Sequence, residues 1–402
     1  MGIKIFEKEA RASSVFKDRS KLSIDYLPYH LPHREEEYKI MVHFFRSVLD
    51  NPGKANAKVL VRGRVGTGKT VLTRRFGTDL ENISQQKGIN LRFVHVNCRE
   101  NGSFFTLLRN VITAFEHSFP QRGFSPEELL RILMQMLDEK NAHLVLALDE
   151  LEALIRKEGS DPLYSLTRIQ ENRPGAPQRL SLICIFREPD CEDAMKQIDK
   201  STLSTLQSNI VYLKEYDSPQ LRDILELRVK EAFKEYAVQP ETVGLIADIA
   251  GEFGDARYAI ELLERSGVFA DAGQFREVLP SHVRRAKAEL PPEIRKEYLQ
   301  YTTLHEKLIL LAIARYLERK EVDYMTMGEL KENYNVICEE YLEKPRAYTQ
   351  FWKYVKGLSD SGMISTKMYE KGFRGKTTLI GLMIPADLLR KEIEHLVEVN
   401  KS

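Results

Sequence analysis

Gly63-Arg64-Val65-Gly66-Thr67-Gly68-Lys69-Thr70 fits the phosphate-binding pattern G-x-x-x-x-G-K-[ST] at every fixed position. An apolar run, Val59-Leu60-Val61, precedes it, and a helical pattern, Val71-Leu72-Thr73-Arg74-Arg75-Phe76, follows it. Strand, loop, helix is the order the motif requires. The glycines let backbone N–H groups curl around phosphate oxygens without Cβ clashes, and the helix N-terminus adds its positive dipole end. The pattern makes Val65, Gly66, Thr67, Gly68 and Val71 candidates to line a nucleotide. Lys69 would reach the β- and γ-phosphates, and Thr70 would offer its hydroxyl to Mg²⁺. The bland alternative is a Gly-rich turn with an incidental lysine, which the correct flanks disfavour.

A second half of the site is expected downstream. Leu144-Val145-Leu146-Ala147-Leu148 is a continuous apolar run that ends in Asp149-Glu150. A strand buried on both faces has this composition, and its C-terminal end is where doubly wound sheets place ligands. Asp149 is the candidate to hold Mg²⁺ through water, and Glu150 to orient and activate an attacking water. An acidic cap for the helix starting near Leu151 is the alternative.

The 402 residues suggest two or three domains, and the formal net charge of +1 gives no global bias toward nucleic acid or membrane. Charged residues at 30% and hydrophobic ones at 43% are ordinary for a soluble chain. Cys98, Cys184, Cys191 and Cys338 lack metal-ligand spacing and are expected to be reduced thiols of an intracellular protein. The first 25 residues are charged throughout, so no signal peptide is expected, and no apolar run approaches the ~20 residues that span a bilayer.

Strand-like segments at 58–62, 91–97, 144–148, 180–186 and 210–213 alternate with helical ones at 69–87, 103–117, 126–140, 150–155 and 161–172. Alternation predicts a parallel sheet with helices on both faces. At Tyr216-Asp217-Ser218-Pro219 the pattern changes, with Ser218 a candidate N-cap before Pro219. Helices alone follow, at 219–236, 240–250, 255–270 and 280–289, up to Pro291-Pro292. The remainder predicts helices at 302–319, 325–340 and 346–361, then a hairpin, Met363–Tyr369 and Thr377–Ile384, and a closing helix at 386–398. Three helices and a hairpin are the winged-helix order. Expected domains are therefore an α/β P-loop domain at 1–215, a helical lid at 216–292 and a C-terminal winged helix at 293–402. Together they look like an AAA+ ATPase that handles DNA. Gly254-Asp255-Ala256-Arg257 opens a lid helix, which puts Arg257 on its first turn, as in a sensor-2 arginine over the γ-phosphate. A surface arginine paired with Glu261 at i+4 is the alternative.

On Leu31-Pro32-His33-Arg34-Glu35, Asp149-Glu150, Gly254-Asp255-Ala256-Arg257 and Arg122-Gly123-Phe124, nearly the whole chain resembles the archaeal initiators related to origin recognition complex subunit one and cell division cycle protein six. The resemblance implies that Leu31 and Pro32, with nearby Tyr26, pack beside an adenine base; an N-terminal helix cap is the alternative. It implies ATP or ADP with Mg²⁺ as cofactors. Double-stranded origin DNA, the replicative helicase and other initiator paralogues are the implied partners, with no membrane role, in a cytoplasmic, nucleoid-associated protein. It also implies that Arg122, Gly123 and Phe124, on a loop before the Ser125–Glu128 capping box, touch DNA; an ordinary turn between helices would account for them too.

Two positions depart from the family's pattern. The strand Leu180–Phe186 usually ends in a polar sensor-1 residue, most often asparagine, where Arg187 stands here. An arginine cannot accept a hydrogen bond from the lytic water but can meet a γ-phosphate as a cation. The usual arginine-finger position aligns with Ser201, beside Lys200. Such fingers contribute roughly 10³–10⁵ in rate, so weak hydrolysis and an ATP-binding switch are expected, with Glu150, Arg187 and Arg257 the catalytic candidates.

The neutral total hides a local contrast: residues 317–343 carry three basic and eight acidic side chains, whereas 346–376 carry seven basic and two acidic ones. In a winged helix the basic part is the groove-entering helix and the wing. Tyr348, Thr349 and Lys353 are candidates for the groove, and Lys371, Phe373, Arg374 and Lys376 for the wing tip. Phe351, Trp352, Val355 and Leu358 are expected in the core by their helical spacing. A solvated basic face is the alternative for the charges. A DNA-binding regulator with a mainly structural nucleotide site, or an ATPase acting on protein partners, remain competing functions.

Overall fold

A computed structural model describes residues 14–116, 119–120, 122–171, 173–188, 190–290, 299, 302–320, 322–360, 363–370, 376–382 and 386–399. The chain divides into two compact units, Met1–Lys287 and Ala288–Ser402.

The first unit is built on a five-stranded parallel sheet: β1 (Lys58–Gly63), β2 (Leu91–Asn97), β3 (His143–Asp149), β4 (Leu180–Arg187) and β5 (Ile210–Leu213), in the order β2-β3-β4-β1-β5. Every residue of β3 and β4 is buried, as their unbroken apolar runs require of central parallel strands. Two apolar layers cover the sheet. One contains Leu146, Leu148, Leu182 and Phe186 with Leu107, Leu133 and Leu154; the other contains Val59, Val61, Val145 and Ile185 with Phe45, Leu72 and Phe76. The order places β4 between β1, which feeds the phosphate loop, and β3, which ends in Asp149. All three strand ends therefore open on one edge.

Helices Ser218–Ala232, Pro240–Gly251, Ala256–Ala272 and Pro280–Glu289 complete the unit. The cap of the first is Asp217, not Ser218: its carboxylate accepts from the Gln220 N–H at 2.9 Å while Gln220 reaches back to the Asp217 N–H. A reciprocal box outweighs a single hydroxyl cap. Ser125 and Glu128 form the expected box before helix Pro126–Glu139. Three short helices, Cys98–Asn101, Asp190–Gln197 and Lys200–Gln207, were not expected from the sequence.

In the second unit, helices Leu304–Lys320, Met327–Glu340 and Tyr348–Asp360 precede β7 (Ile364–Glu370) and β8 (Lys376–Leu382). A two-residue strand, β6 (Met325–Thr326), pairs with β8, so the hairpin becomes a three-stranded antiparallel sheet in the order β6-β8-β7. Helix Ala386–Val399 closes the unit, with Arg315 ion-paired to Glu394 at 2.9 Å and Arg390 to Glu318 at 2.8 Å. Phe351, Val355 and Leu358 are buried as expected, but Trp352 is 45% exposed. The three core residues share one helical face; Trp352 falls on the stripe of Tyr348 and Lys356, four residues away on each side. The wing-tip candidates Lys371, Phe373 and Arg374 lie outside the described residues, and of Lys376 only its backbone place in β8 is described. All four cysteines are buried and unbridged, and no described helix is long and apolar enough to cross a membrane.

Candidate functional site

The phosphate loop leaves β1 at Gly63 and enters helix Lys69–Gln86 through Gly66 (φ 74°) and Gly68 (φ 88°), both in the left-handed region that favours glycine. Space is as restrictive as the dihedral. A Cβ on Gly66 would lie 1.9 Å from Asp255 Oδ1 and 2.8 Å from Asp255 Cα. The lid helix starts there: Ala256 N–H donates to the Gly66 carbonyl at 3.1 Å, and the Asp255 carboxylate caps the Arg257 and Tyr258 amides. Arg257 thus stands on the first turn of a helix that rests on the loop, with Gly254 (φ 62°) in the turn between it and helix Pro240–Gly251.

Lys69 is 9% exposed, and its ammonium donates to the carbonyls of Gly63 and Arg64, both at 2.7 Å. Burial pulls its pKa down to about 8; Asp149 and Glu152 oppose that shift, and the positive charges of Arg187 and Arg257 add to it. Lys69 therefore feels the positive charges of both Arg187 and Arg257, an environment suited to polyphosphate.

Thr70 donates its hydroxyl to Asp149 Oδ2 at 2.6 Å, His95 Nε2 lies 3.0 Å from the same oxygen, and the Glu150 N–H donates to Oδ1 at 2.9 Å. Burial alone would raise the Asp149 pKa, but these contacts, His95 first, hold it below the usual carboxylate value. A hydroxyl beside an ionised carboxylate is a hard-oxygen donor pair that fits Mg²⁺. Glu150 follows in the left-handed conformation (φ 51°), unusual for a non-glycine residue and a strain that clusters at functional sites. Its carboxylate lies 3.9 Å from Arg99 and 4.0 Å from Arg187.

Leu31 and Pro32 are half-buried, and Leu31 packs against the loop-side core. The most connected residue of that run is Arg34, 4% exposed. Its guanidinium donates to the carbonyls of Thr67 (3.1 Å) and Lys214 (2.6 Å), lies 3.9 Å from the Tyr216 ring centroid, and pairs with Glu37. One side chain thus ties the phosphate loop to the end of β5 and the start of the lid. Tyr26 packs between Lys21 and Arg228 and donates to Glu231 at 3.3 Å. Val65 and Val71 are half-buried at the loop's two ends. At the finger position, Asp199 caps helix Lys200–Gln207, and the Arg168 guanidinium from helix Asp161–Arg168 touches the Ser201 hydroxyl.

The loop before helix Pro126–Glu139 exposes Arg122 and Gly123, but Phe124 is half-buried, stacked on Phe119 at 5.4 Å between centroids. In the second unit, residues 344–350 are all exposed, as are Trp352, Lys353 and Lys356. Lys344, Arg346, Lys353 and Lys356 accompany Tyr348 (58% exposed), Thr349 and Trp352 on a stretch with no acidic residue from 344 to 359.

His95 and Glu152 are site residues that the motifs did not single out; Arg34 stands in the Leu31–Glu35 run without a role read for it, and Trp352 was expected in the core. A charge within the apolar start of helix Leu151–Glu158 was a usable signal for Glu152. Nothing local marked His95, whose place follows from β2 lying beside β3.

A parallel sheet with a P-loop and a helical lid put the first unit in the AAA+ class, and the second unit is a winged helix. Residues 55–195 match the description "AAA domain", residues 222–288 "Cdc6 AAA+ ATPase-type lid domain", and residues 297–392 "CDC6, C terminal winged helix domain". An "ORC1-type DNA replication protein 2" from Saccharolobus solfataricus is 34% identical over 380 residues, 93% of this chain and 91% of that protein. The chain belongs to the family of ORC1-type DNA replication proteins, the replication initiators that its sequence resembles. Among solved structures, Cdc6p from Pyrobaculum aerophilum is 30% identical with a TM-score of 0.62, over 96% of this chain and 100% of that one. The Aeropyrum pernix ORC1 protein, solved in complex with DNA, is 28% identical with a TM-score of 0.70, over 97% of this chain and 98% of that one.

Proposed function

We propose that the chain is an ATP-dependent initiator that recognises origin duplex DNA and helps recruit or load the replicative helicase, with slow hydrolysis acting as a switch. The observation that carries it is the set of Lys69, Thr70, Asp149, Glu150 and Arg187 at one sheet edge, with Arg257 on the lid helix that rests on the phosphate loop, in a chain whose other unit carries an exposed basic helix. The family's ATPase-type lid and the DNA-bound relative support the two halves separately.

The loop amides of 65–70 and Lys69 would hold the phosphates, and Thr70 and Asp149 the Mg²⁺, while Leu31 and Pro32 would pack on the base. Bound ATP–Mg²⁺ supplies the phosphoanhydride bond and the metal that neutralises its charge. Glu150 would orient the attacking water, with Arg99 and Arg187 within 4.0 Å of its carboxylate. Arg257 would carry the lid's response to the γ-phosphate. DNA would meet Tyr348, Thr349, Trp352, Lys353 and Lys356 on the helix, the wing tip, and the Arg122–Phe124 loop. We also propose the division 1–215, 216–292 and 293–402, a cytoplasmic, nucleoid-associated location, other initiator paralogues as partners, and no membrane role.

Turnover of the purified protein is expected far below the ~10 s⁻¹ of a median enzyme, and Glu150→Gln should lower the residual rate further. Phosphate release over hours checks both. Turnover at ordinary enzyme rates would show that Arg187 and Ser201 do not slow the site. Those same two residues favour one other reading, a DNA-binding regulator whose nucleotide is mainly structural; it predicts no measurable turnover and no effect of Glu150→Gln.

A further inference from the structure

The basic helix Tyr348–Asp360 carries two large exposed aromatic side chains, Tyr348 and Trp352, which a phosphate backbone does not call for. Its rotation is fixed from inside. Phe351, Val355 and Leu358 are buried in the core of the winged-helix unit, and the Tyr348 ring rests against Phe351 at 6.3 Å between centroids. The entry to the helix is fixed as well. Lys331 Nζ donates to the Arg346 carbonyl at 3.0 Å, and the Arg346 N–H donates to the Tyr334 hydroxyl at 3.2 Å. Tyr334 is itself fully buried and hydrogen-bonded to His305 Nδ1 at 2.8 Å. The outward face is therefore borne by backbone already held in place, with Tyr348, Thr349, Trp352, Lys353 and Lys356 adjoining at spacings of three and four.

Charge selects the partner of this face, and the indole selects what it meets there. Lys344, Arg346, Lys353 and Lys356, with no acidic residue from 344 to 359, complement a sugar–phosphate backbone. Contacts of that kind set position and carry no sequence information. An indole has an apolar body, one N–H donor and no charge to offer a phosphate. In an intact duplex the base faces are stacked out of reach. The apolar group left within reach is the thymine C5 methyl, which projects into the major groove and has no counterpart in the minor groove. Thymine O4 and purine N7 on the same groove floor are acceptors that the indole N–H can meet.

We propose that Trp352 is a specificity-determining residue whose indole packs on thymine methyl groups in the major groove, so that the chain prefers A·T pairs beneath it. This rests on the duplex binding proposed above. The lysines and the tryptophan then have separable roles. Losing a lysine weakens binding on every sequence and changes the salt dependence. Losing the indole removes the preference for thymine and leaves the salt dependence as it was. Removing a methyl from the DNA matters only while Trp352 is present.

The test uses the full chain and a duplex it selects from a pool with a randomised core. That duplex is remade with deoxyuridine in place of each thymine in turn, which removes the methyl and keeps the pairing, and affinities are read by anisotropy of a labelled end. At one position or more, deoxyuridine should weaken the parent about fourfold, the scale of one buried methyl-sized group. The same duplexes should bind Trp352→Ala equally, a double-mutant cycle across the interface. Lys353→Ala should weaken all of them and flatten the salt slope by about 0.9, yet keep the deoxyuridine effect. Trp352 is exposed, so alanine there opens no core cavity; if Trp352→Ala does not fold, Trp352→Gln takes its place. The proposal is overturned if no thymine methyl matters to the parent, or if its loss costs Trp352→Ala as much. It is also overturned if the parent binds the single strand more tightly than the duplex and Trp352→Ala does not, which would stack the indole on unpaired bases. Failure of the unchanged protein to bind any duplex of the pool would instead overturn the DNA-binding reading on which this one rests.

Discussion

Lys69→Ala is expected to weaken ATP and ADP binding by about a hundredfold or more. Each hydrogen bond to a charged group contributes roughly 1.5–3 kcal/mol, and Lys69 is placed to make more than one. Its ammonium is already held over the loop by the Gly63 and Arg64 carbonyls, so little order is left to impose on binding. With its pKa at about 8, the lysine remains mostly protonated at pH 7. Unfolding is not the expected route to the loss, because alanine removes a cation whose burial is itself costly. Nucleotide titration alongside a melting curve checks this, and unchanged affinity in a folded Lys69→Ala protein would remove the site assignment.

The second large effect is expected in the winged-helix unit. Lys353 and Lys356 are exposed on helix Tyr348–Asp360 beside Tyr348 and Trp352. Changing both lysines to alanine should weaken duplex binding by about tenfold or more across many sequences. The dependence of log affinity on log salt should flatten by about 1.8, or 0.9 for each lost phosphate contact. Trp352 is the single tryptophan of the chain, so its fluorescence reports on this surface directly. Duplex should change that emission in the parent at concentrations that leave the double variant unaltered. An unchanged salt slope would mean that this helix does not meet the phosphate backbone.

Much of the architecture was legible because the signals were local. The apolar runs of β1, β3 and β4 gave strand positions to within about a residue, since central parallel strands are buried on both faces, and the shorter patterns of the edge strands β2 and β5 placed them as closely. Proline and capping residues marked helix starts at Pro126 and Asp255-Ala256. Helices Asp190–Gln197 and Lys200–Gln207 escaped because one is mostly polar and the other rich in serine and threonine, so tertiary context decides them. The short strand Met325–Thr326 exists only through its pairing with Leu379 and Ile380. Trp352 was misplaced because Phe351, Val355 and Leu358 complete the buried face without it.

The candidate site divides in the same way. The phosphate loop and Asp149-Glu150 are contiguous motifs and were readable. Arg34 meets Thr67 and Lys214, and Glu152 meets Arg187, across 33, 180 and 35 residues of sequence. No periodicity carries such contacts; they arise when the sheet order brings strand ends to one edge.

Genome-wide mapping of the DNA bound by the full chain in its own cells tests the initiator function most directly. The account predicts that bound sites concentrate at replication origins, and that Lys69→Ala reduces their occupancy. Sites spread over promoters with no enrichment at origins, and unaffected by Lys69→Ala, would contradict it.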